Sequence, residues 1–450
     1  MMRLAGWSRG VYAGVALSLA ICASAPSSVA AQTSLQIPLQ FDFINPGAKS
    51  LALGGAFAGL ADDATATFAN PAGLTQLLGP ELSVEIRGTR SLSPFLERGR
   101  LSGTIINEGV DVIQGPVFVD STGTHVGVGY FAGVYPHRSF RWVVAGYRHE
   151  LARVDQTFLS QGVFQQDPTE FTSRRDSPQE GVRNVSITGY GAAGAYKLRQ
   201  NVSIGGALTL YSFDINSVFR RFDIDGFLGP PKLDVEFGRS SQLGSDVSVA
   251  PTFGFTTDYG RTRIGVVYRH GASFEFTTQD GDDPVRVGTF RVPHTLAFGT
   301  SVRATPRLVF SGEVTWIDYS RLIDDFVTDQ ALATGQQDSF SVDDGTEIHF
   351  SGQYALLRDS GAPVRLRGGV WYDPDHSVQF DASRTPTTAF DRLFDERLGI
   401  ALSEGGSQIH VTGGVGFSIT PRLEFNAGFD AASRQRLLST SLIVHLQEGP

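Results

Sequence analysis

The chain is poor in sulfur and in lysine. It has one cysteine (Cys22), two methionines and three lysines (Lys49, Lys197, Lys232) in 450 residues. So little cysteine excludes a disulfide scaffold, a cysteine-ligated zinc module and a thiol enzyme. Charge is sparse at 18%, with a net charge of −9. That balance argues against a nucleic-acid partner, because phosphate binding needs clustered Lys and Arg. Intrinsic disorder is excluded too, since it calls for few aromatics and high charge, whereas 11% of this chain is aromatic. Beyond residue 31 no apolar run approaches the 18 or so residues of a membrane helix. The same absence says nothing against a β-barrel, whose strands alternate and average to a near-zero hydropathy.

What is present begins with a leader. Arg3 and Arg9 precede an apolar stretch from Val11 to Ala25, and small residues at Ser28–Val29–Ala30–Ala31 suit a signal peptidase. Residues 1–31 therefore read as a secretory signal. A lipoprotein signal at Cys22 fits less well, because Ile21 is bulky where a small residue is wanted. Removing the leader takes the net charge from −9 to −11 and leaves no cysteine. The length alone suggests two or three domains, but barrels run long as single units.

From Glu81 onward apolar and polar residues alternate, as in Ile409–Ile419 and Leu423–Phe429, which is the period of strands with one apolar face. The pattern places strands near 81–92, 123–135, 139–153, 183–197, 201–219, 246–257, 261–277, 286–303, 307–320, 346–357, 363–374, 406–419, 422–432 and 435–447. Fourteen is an even number, as a single-chain bacterial barrel requires. Tight turns (136–138, 198–200, 258–260, 304–306, 359–362, 420–421) alternate with long polar connections (93–122, 154–182, 223–245, 321–345, 375–405). Short periplasmic turns and long extracellular loops are the habit of outer-membrane barrels. Tyr135, Trp142 and Tyr196 beside tight turns, with Trp316, Tyr319, Trp371 and Tyr372 beside long loops, suggest two interfacial rims. The expected fold is all-β: a transmembrane antiparallel barrel of about fourteen strands.

Residues 41–78 do not alternate and are rich in Gly and Ala. Gly54-Gly55-Ala56-Phe57-Ala58-Gly59-Leu60-Ala61-Asp62-Asp63-Ala64, followed by Asn70-Pro71-Ala72-Gly73-Leu74, resembles the opening of the FadL/TodX family of outer-membrane hydrophobic-compound transporters. The stretches from Val292-Pro293-His294 to Arg321 and from Leu366 to Asp373 are similar to later parts of that family. The matching segments cover about a fifth of the chain. The chain departs from the family pattern in ending without an aromatic residue, and in Asp373-Pro374-Asp375-His376. The resemblance implies an N-terminal hatch of short helices plugging the lumen. The expected organisation is a signal peptide at 1–31, a hatch at 32–80 and a barrel at 81–450. It implies passive uptake of hydrophobic compounds such as long-chain fatty acids or hydrocarbons across the bacterial outer membrane. It also implies insertion by the outer-membrane assembly machinery, with no cofactor. PorV-like barrels, which bind proteins in a secretion system, have a similar opening and supply the alternative.

The candidate hatch and gating residues are Gly54, Gly55, Asp62, Asp63, Asn70, Pro71 and Ala72, with a helix running from Asp62 to Ala69 that Asn-Pro ends. Glu85, Arg87, Arg269, Glu275, Glu313, Arg365, Arg367 and Glu424 fall on the inward face as mixed charges of a polar lumen. Arg365 and Arg367 are the first candidates to meet a substrate polar group. Phe227, Leu228 and Phe326 are candidate capture residues on loops. His349 and His410 read as lumen polar residues.

No catalytic constellation is present, and the chain does not read as an enzyme. Gly189-Tyr190-Gly191-Ala192-Ala193-Gly194 spells a dinucleotide fingerprint but lies inside an alternating run, where no helix comes after it to present amides to a phosphate. Asp280-Gly281-Asp282-Asp283 lacks the spacing of an EF-hand.

Overall fold

A computed structural model describes residues 43–97, 100–106, 109–114, 117–139, 141–162, 164–166, 173–175, 178–225, 230–282, 284–323, 340–356, 363–381 and 406–446. The alternating runs form fourteen antiparallel wall strands. They are β1 (Glu81–Glu97), β2 (Val117–Pro136), β3 (Trp142–Ser160), β4 (Gln179–Arg199), β5 (Val202–Ile224), β6 (Pro231–Tyr259) and β7 (Thr262–Arg269). The second half comprises β8 (Thr295–Thr305), β9 (Leu308–Ile317), β10 (Gly345–Leu356), β11 (Val364–Asp373), β12 (Gln408–Thr420), β13 (Leu423–Ala431) and β14 (Gln435–His445). Each pairs with its neighbours, and β1 pairs with β14 from Glu81↔His445 to Ser91↔Gln435, so the sheet closes and has no free edge around the ring.

The outer face is apolar on every side of the ring. Val126, Leu208, Phe253, Ile409 and Leu438 are each more than half exposed. An apolar surface this extensive has no stable place in water and is matched by a bilayer. At the rim of tight turns Trp142 lies opposite Tyr196, both exposed, with Tyr135 nearby in chain order and also exposed. Trp316 and Tyr372 are exposed near the other rim, but Tyr319 and Trp371 are buried and point into the lumen. Those two do not belong to a lipid-facing girdle: Trp371 falls on the inner parity of its strand, and Tyr319 opens a 3-10 turn that packs inward.

Three expectations about the wall need correction. The stretches 154–182 and 223–245 are not mainly loops: β3 runs on to Ser160, β4 begins at Gln179, and β5 and β6 reach Ile224 and Pro231. Polar outward residues disguised these extensions, because above the membrane a strand's outer face meets water. The stretch 93–122 likewise holds the end of β1 and a hairpin, Arg100–Ile106 with Gly109–Gln114. The seventh and eighth strands are each interrupted. Beyond β7 the chain breaks at residues 270–272 and resumes as Ser273–Asp280, which pairs with Arg286–Arg291 in an inserted hairpin before a second break at residues 292–294. Proline at 293 cannot donate to the ladder. The first break shifts the parity of the hairpin strand beyond it, so Glu275 faces outward, not into the lumen, while Phe274 and Phe276 turn in.

Residues 43–80 pack against the inner faces of the wall. Two short helices, α1 (Ala48–Ala52) and α2 (Ala66–Ala69), are succeeded by a 3-10 turn, Pro71–Gln76. The helix is shorter than the expected span from Asp62, because the Asp63 carboxylate accepts from Thr65 N and Oγ1 in an Asx turn just ahead of the helix. Wall glycines allow the two backbones to touch. A methyl on Gly265 would collide with the Ala58 carbonyl, and one on Gly428 with the Ala48 carbonyl. Among the described residues no helix is long and apolar enough to cross a membrane, which has no bearing on crossing by strands.

Candidate functional site

The hatch is hung from the wall by carboxylates that accept its backbone N–H groups. Glu313 of β9 takes Phe57 N at 2.8 Å and Ala58 N at 2.7 Å on one oxygen. Glu85 of β1 takes Gly47 N at 2.9 Å and is braced by Arg87 and Ser439. Glu81 takes Ala64 N at 2.9 Å. These N–H groups point out of irregular backbone, where no intrahelical acceptor serves them, and a buried carboxylate satisfies them strongly. The converse also occurs: Arg269 donates to the Phe68 and Ala69 carbonyls, and Ser301 to the Gly59 carbonyl.

Each expected hatch residue has a place in this suspension. Gly54 and Gly55 sit at φ of 57° and 75°, in the left-handed region that glycine tolerates. That turn aims the Gly54 carbonyl at His349 Nδ1, 2.7 Å away. Asn70 donates to the Ala58 and Phe255 carbonyls and accepts from Ala72 N, tying hatch to wall through one amide. Pro71 occupies the first position of the 3-10 turn, where its missing donor costs nothing. Asp62 pairs with Lys49 at 2.5 Å, with Asp63 3.5 Å from the same ammonium. Burial opposes charge on both partners, but their attraction outweighs it: Lys49 is held above its ordinary pKa and Asp62 below.

Above and beside the hatch the lumen is not polar throughout. It has an apolar wall and a polar wall. Inward on β4 and β5 come Val185, Ile187, Tyr211, Phe213 and Ile215, all buried. The inserted hairpin adds Phe274 and Phe290, whose rings stack on Phe213 at centroid distances of 4.9 and 5.2 Å. Phe68 of α2 closes this cluster from the hatch side, and Tyr319 and Leu322 from a 3-10 turn, Tyr319–Ile323. Across from it, β9 to β13 present Glu313, Glu347, His349, Asp373, His410 and Asp430. Glu347 bonds Tyr319 Oη and His349 Nε2, while Asp430 bonds His410 Nδ1 and Trp371 Nε1. His349, Trp371 and His410 form a stack between those acids.

The aromatic cluster was missed in the sequence although its signal is there. On β5 the outward residues run Ile204, Leu208, Leu210 and then Ser212, Asp214, Asn216, while inward small residues give way to Tyr211, Phe213 and Ile215. The apolar face changes sides in mid-strand. The change falls at the same level on β4, where Tyr190↔Leu210 and Thr188↔Ser212 are paired. This marks where the wall leaves lipid, with a packed apolar cluster enclosed beyond.

Arg365 and Arg367 lie toward the turn-side end of β11. Arg365 pairs with Glu424 at 3.4 Å, and Arg367 bonds Gln353 and Asn426. Phe227, Leu228 and Phe326 lie outside the described residues. The glycine-rich 189–194 segment is strand, and the space over Gly191 is filled by the Tyr147 ring. Among the described residues no group of three or more His, Cys, Asp or Glu is placed to hold a metal ion; Asp283 of the acidic loop lies outside them.

Fold and site together define a plugged fourteen-stranded transmembrane β-barrel with a packed apolar cluster inside its lumen. No family model and no curated protein matches the chain. Among solved structures it is similar to a Pseudomonas aeruginosa FadL homologue, at 11% identity and a TM-score of 0.57, over 92% of this chain and 100% of that one. It is also similar to the P. putida toluene transporter TodX, at 13% identity and a TM-score of 0.55, over 91% of this chain and 100% of that one. A third is the Ralstonia pickettii toluene transporter TbuX, at 15% and 0.51, over 90% and 100%. The chain has the fold of the FadL and TodX barrels, and at these identities the likeness is one of fold.

Proposed function

We propose that the chain is a channel of the bacterial outer membrane for passive uptake of hydrophobic compounds, with residues 1–31 a cleaved signal, 32–80 the gating hatch and 81–450 the barrel. The observation that carries this reading is the enclosed aromatic cluster directly above the hatch. A water-filled porin would line that level with polar groups, whereas Phe213, Phe274 and Phe290 offer a hydrocarbon the contacts it seeks. The toluene transporters that share the fold support it at the level of fold.

In this reading a ligand is caught at the long loops, with Phe227, Leu228 and Phe326 as capture residues, and displaces the aromatic cluster. Release of the hatch from its carboxylate anchors then opens the lower lumen. Arg365, with its side chain 30% exposed, is the candidate contact for a polar group leaving on the turn side. No catalytic step is involved.

The test is uptake of labelled toluene and of a long alkane by cells with and without the gene. Uptake that tracks the gene supports the channel, and equal uptake overturns it. The protein-binding alternative draws on the packed lower lumen. Recovery of a stoichiometric partner protein, with unchanged uptake on deletion, would favour it.

A further inference from the structure

Between the hatch and the polar wall lies a cavity of ≈ 30 Å³, lined by hatch residues 43–45, Ser50 and Gly54-Gly55 and by Glu313, Glu347 and Asp430 of the wall. It holds one water-sized group. Most of its donors are already spent. Arg269 turns its N–H groups to the Phe68 and Ala69 carbonyls, Thr295 and Asn45; Asn45 Nδ2 serves the Gly55 carbonyl; Trp371 Nε1 serves Asp430. Both ring nitrogens of His349 are engaged, by Gly54 O and Glu347. Acceptors remain, since each carboxylate has about four lone-pair directions and only two or three are taken here. One group is left over: Ser50 lines the cavity and is 1% exposed, and its Oγ has no hydrogen-bond partner among the described residues. A buried hydroxyl without a partner is costly unless something joins it.

The cavity also adjoins the aromatic cluster. Phe43 belongs to the cavity lining and packs on the aromatic cluster, and Tyr319 of that cluster donates to Glu347.

We propose that this cavity is a head-group site, selective for amphiphiles whose polar end donates hydrogen bonds, a primary ammonium above all, and closed to a carboxylate. It rests on the uptake reading above and names the ligand class. The ammonium would enter the cavity toward Ser50, Glu347 and Asp430, with its alkyl chain laid past Phe43 into the phenylalanine wall. A carboxylate head would meet three carboxylates, offset only by the Arg269 guanidinium, which already makes four hydrogen bonds elsewhere, and by one serine hydroxyl.

The experiment measures binding of octylamine, octanol and octanoate to the full-length barrel in zwitterionic nanodiscs by equilibrium dialysis, corrected for empty discs. Uptake of unsubstituted octane by cells runs in parallel. Octylammonium is expected to bind at least about tenfold more tightly than octanoate, the ratio one charge-assisted hydrogen bond supplies. Ser50→Ala, which breaks no existing bond, should weaken octylammonium and octanol, and Glu347→Gln should shrink the preference for ammonium over carboxylate. Heat-modifiable migration on gels confirms that each variant is a folded barrel. Octanoate binding as tightly as octylammonium, or a Ser50→Ala protein that binds like wild type, overturns the head-group site. If octane uptake still tracks the gene in that case, the channel reading stands without it; if octane uptake is independent of the gene, the channel reading itself fails.

Discussion

Replacing Glu313 loosens the hatch by an amount that the geometry allows to be worked out. One carboxylate oxygen accepts Phe57 N and Ala58 N, both buried and both shorter than a typical N–H···O bond. Hydrogen bonds to charged groups contribute about 1.5–3 kcal/mol each and neutral ones about half that, so Glu313→Gln, which keeps an acceptor, costs about 2 kcal/mol. Glu313→Ala leaves both N–H groups without a partner at about 1–3 kcal/mol each, or about 4 kcal/mol together. The relevant equilibrium is local opening of the hatch, and global unfolding of the barrel should change little. Hydrogen exchange monitored by mass spectrometry on a peptide spanning Phe57 and Ala58 reads it directly. A loss of about 2 kcal/mol speeds exchange there about thirtyfold in the Gln variant, and the Ala variant loses more. Protection that is unchanged in Glu313→Ala, with an intact barrel, would refute the idea that the wall carboxylates hold the hatch.

Other perturbations act on the same contacts. Asn70→Ala removes two donated bonds and one accepted bond, and should lower hatch protection by about 3 kcal/mol, read by exchange at Ala58 and Ala72. Gly265→Ala drives a methyl into the Ala58 carbonyl and should displace the hatch at about 1–3 kcal/mol, seen as a lower temperature for loss of heat-modifiable migration. Phe213→Ala removes the ring on which Phe274 and Phe290 stack; toluene uptake should fall while the amount of barrel in the membrane, read by immunoblot, is maintained. The Lys49–Asp62 pair gives a pH dependence with two limits. Asp62 is held below its ordinary pKa, so its contribution is present above that range and disappears as pH falls through the lowered value. Lys49 is held above its own, so its contribution is complete at neutral pH and vanishes as pH rises through the raised value. Asp62→Asn should flatten both limbs of hatch protection against pH.

The barrel was legible because lipid and lumen impose a strict alternation on each strand, and the tight turns punctuate it. Glu85, Arg87, Arg269, Glu313 and Arg367 fall on the lumen face by parity alone, and the structure buries all five there. Parity fails where the backbone breaks its own period: the interruption at residues 270–272 turned Glu275 outward and the neighbouring phenylalanines inward. Extensions of β3 to β6 were hidden for a different reason. Above the membrane the polar face is the outer one, so an alternation that marks a strand looks like a loop if lipid exposure is assumed throughout. The anchors of the hatch were not legible at all, because Glu313 and Phe57 lie 256 residues apart and backbone amides leave no mark in a sequence.

The sequence by itself determined the antiparallel barrel, the number of its strands and a glycine-rich segment ahead of the first strand. These rest on local periods and composition, which each segment carries alone. Only the tertiary structure decided that the lumen has an apolar wall facing an acidic and imidazole-bearing one, that the hatch hangs from glutamates, and that one serine hydroxyl is left over beside three carboxylates. Closing a sheet into a ring brings strands distant in sequence face to face across the lumen, and what meets there depends on register and stagger, which no single strand encodes.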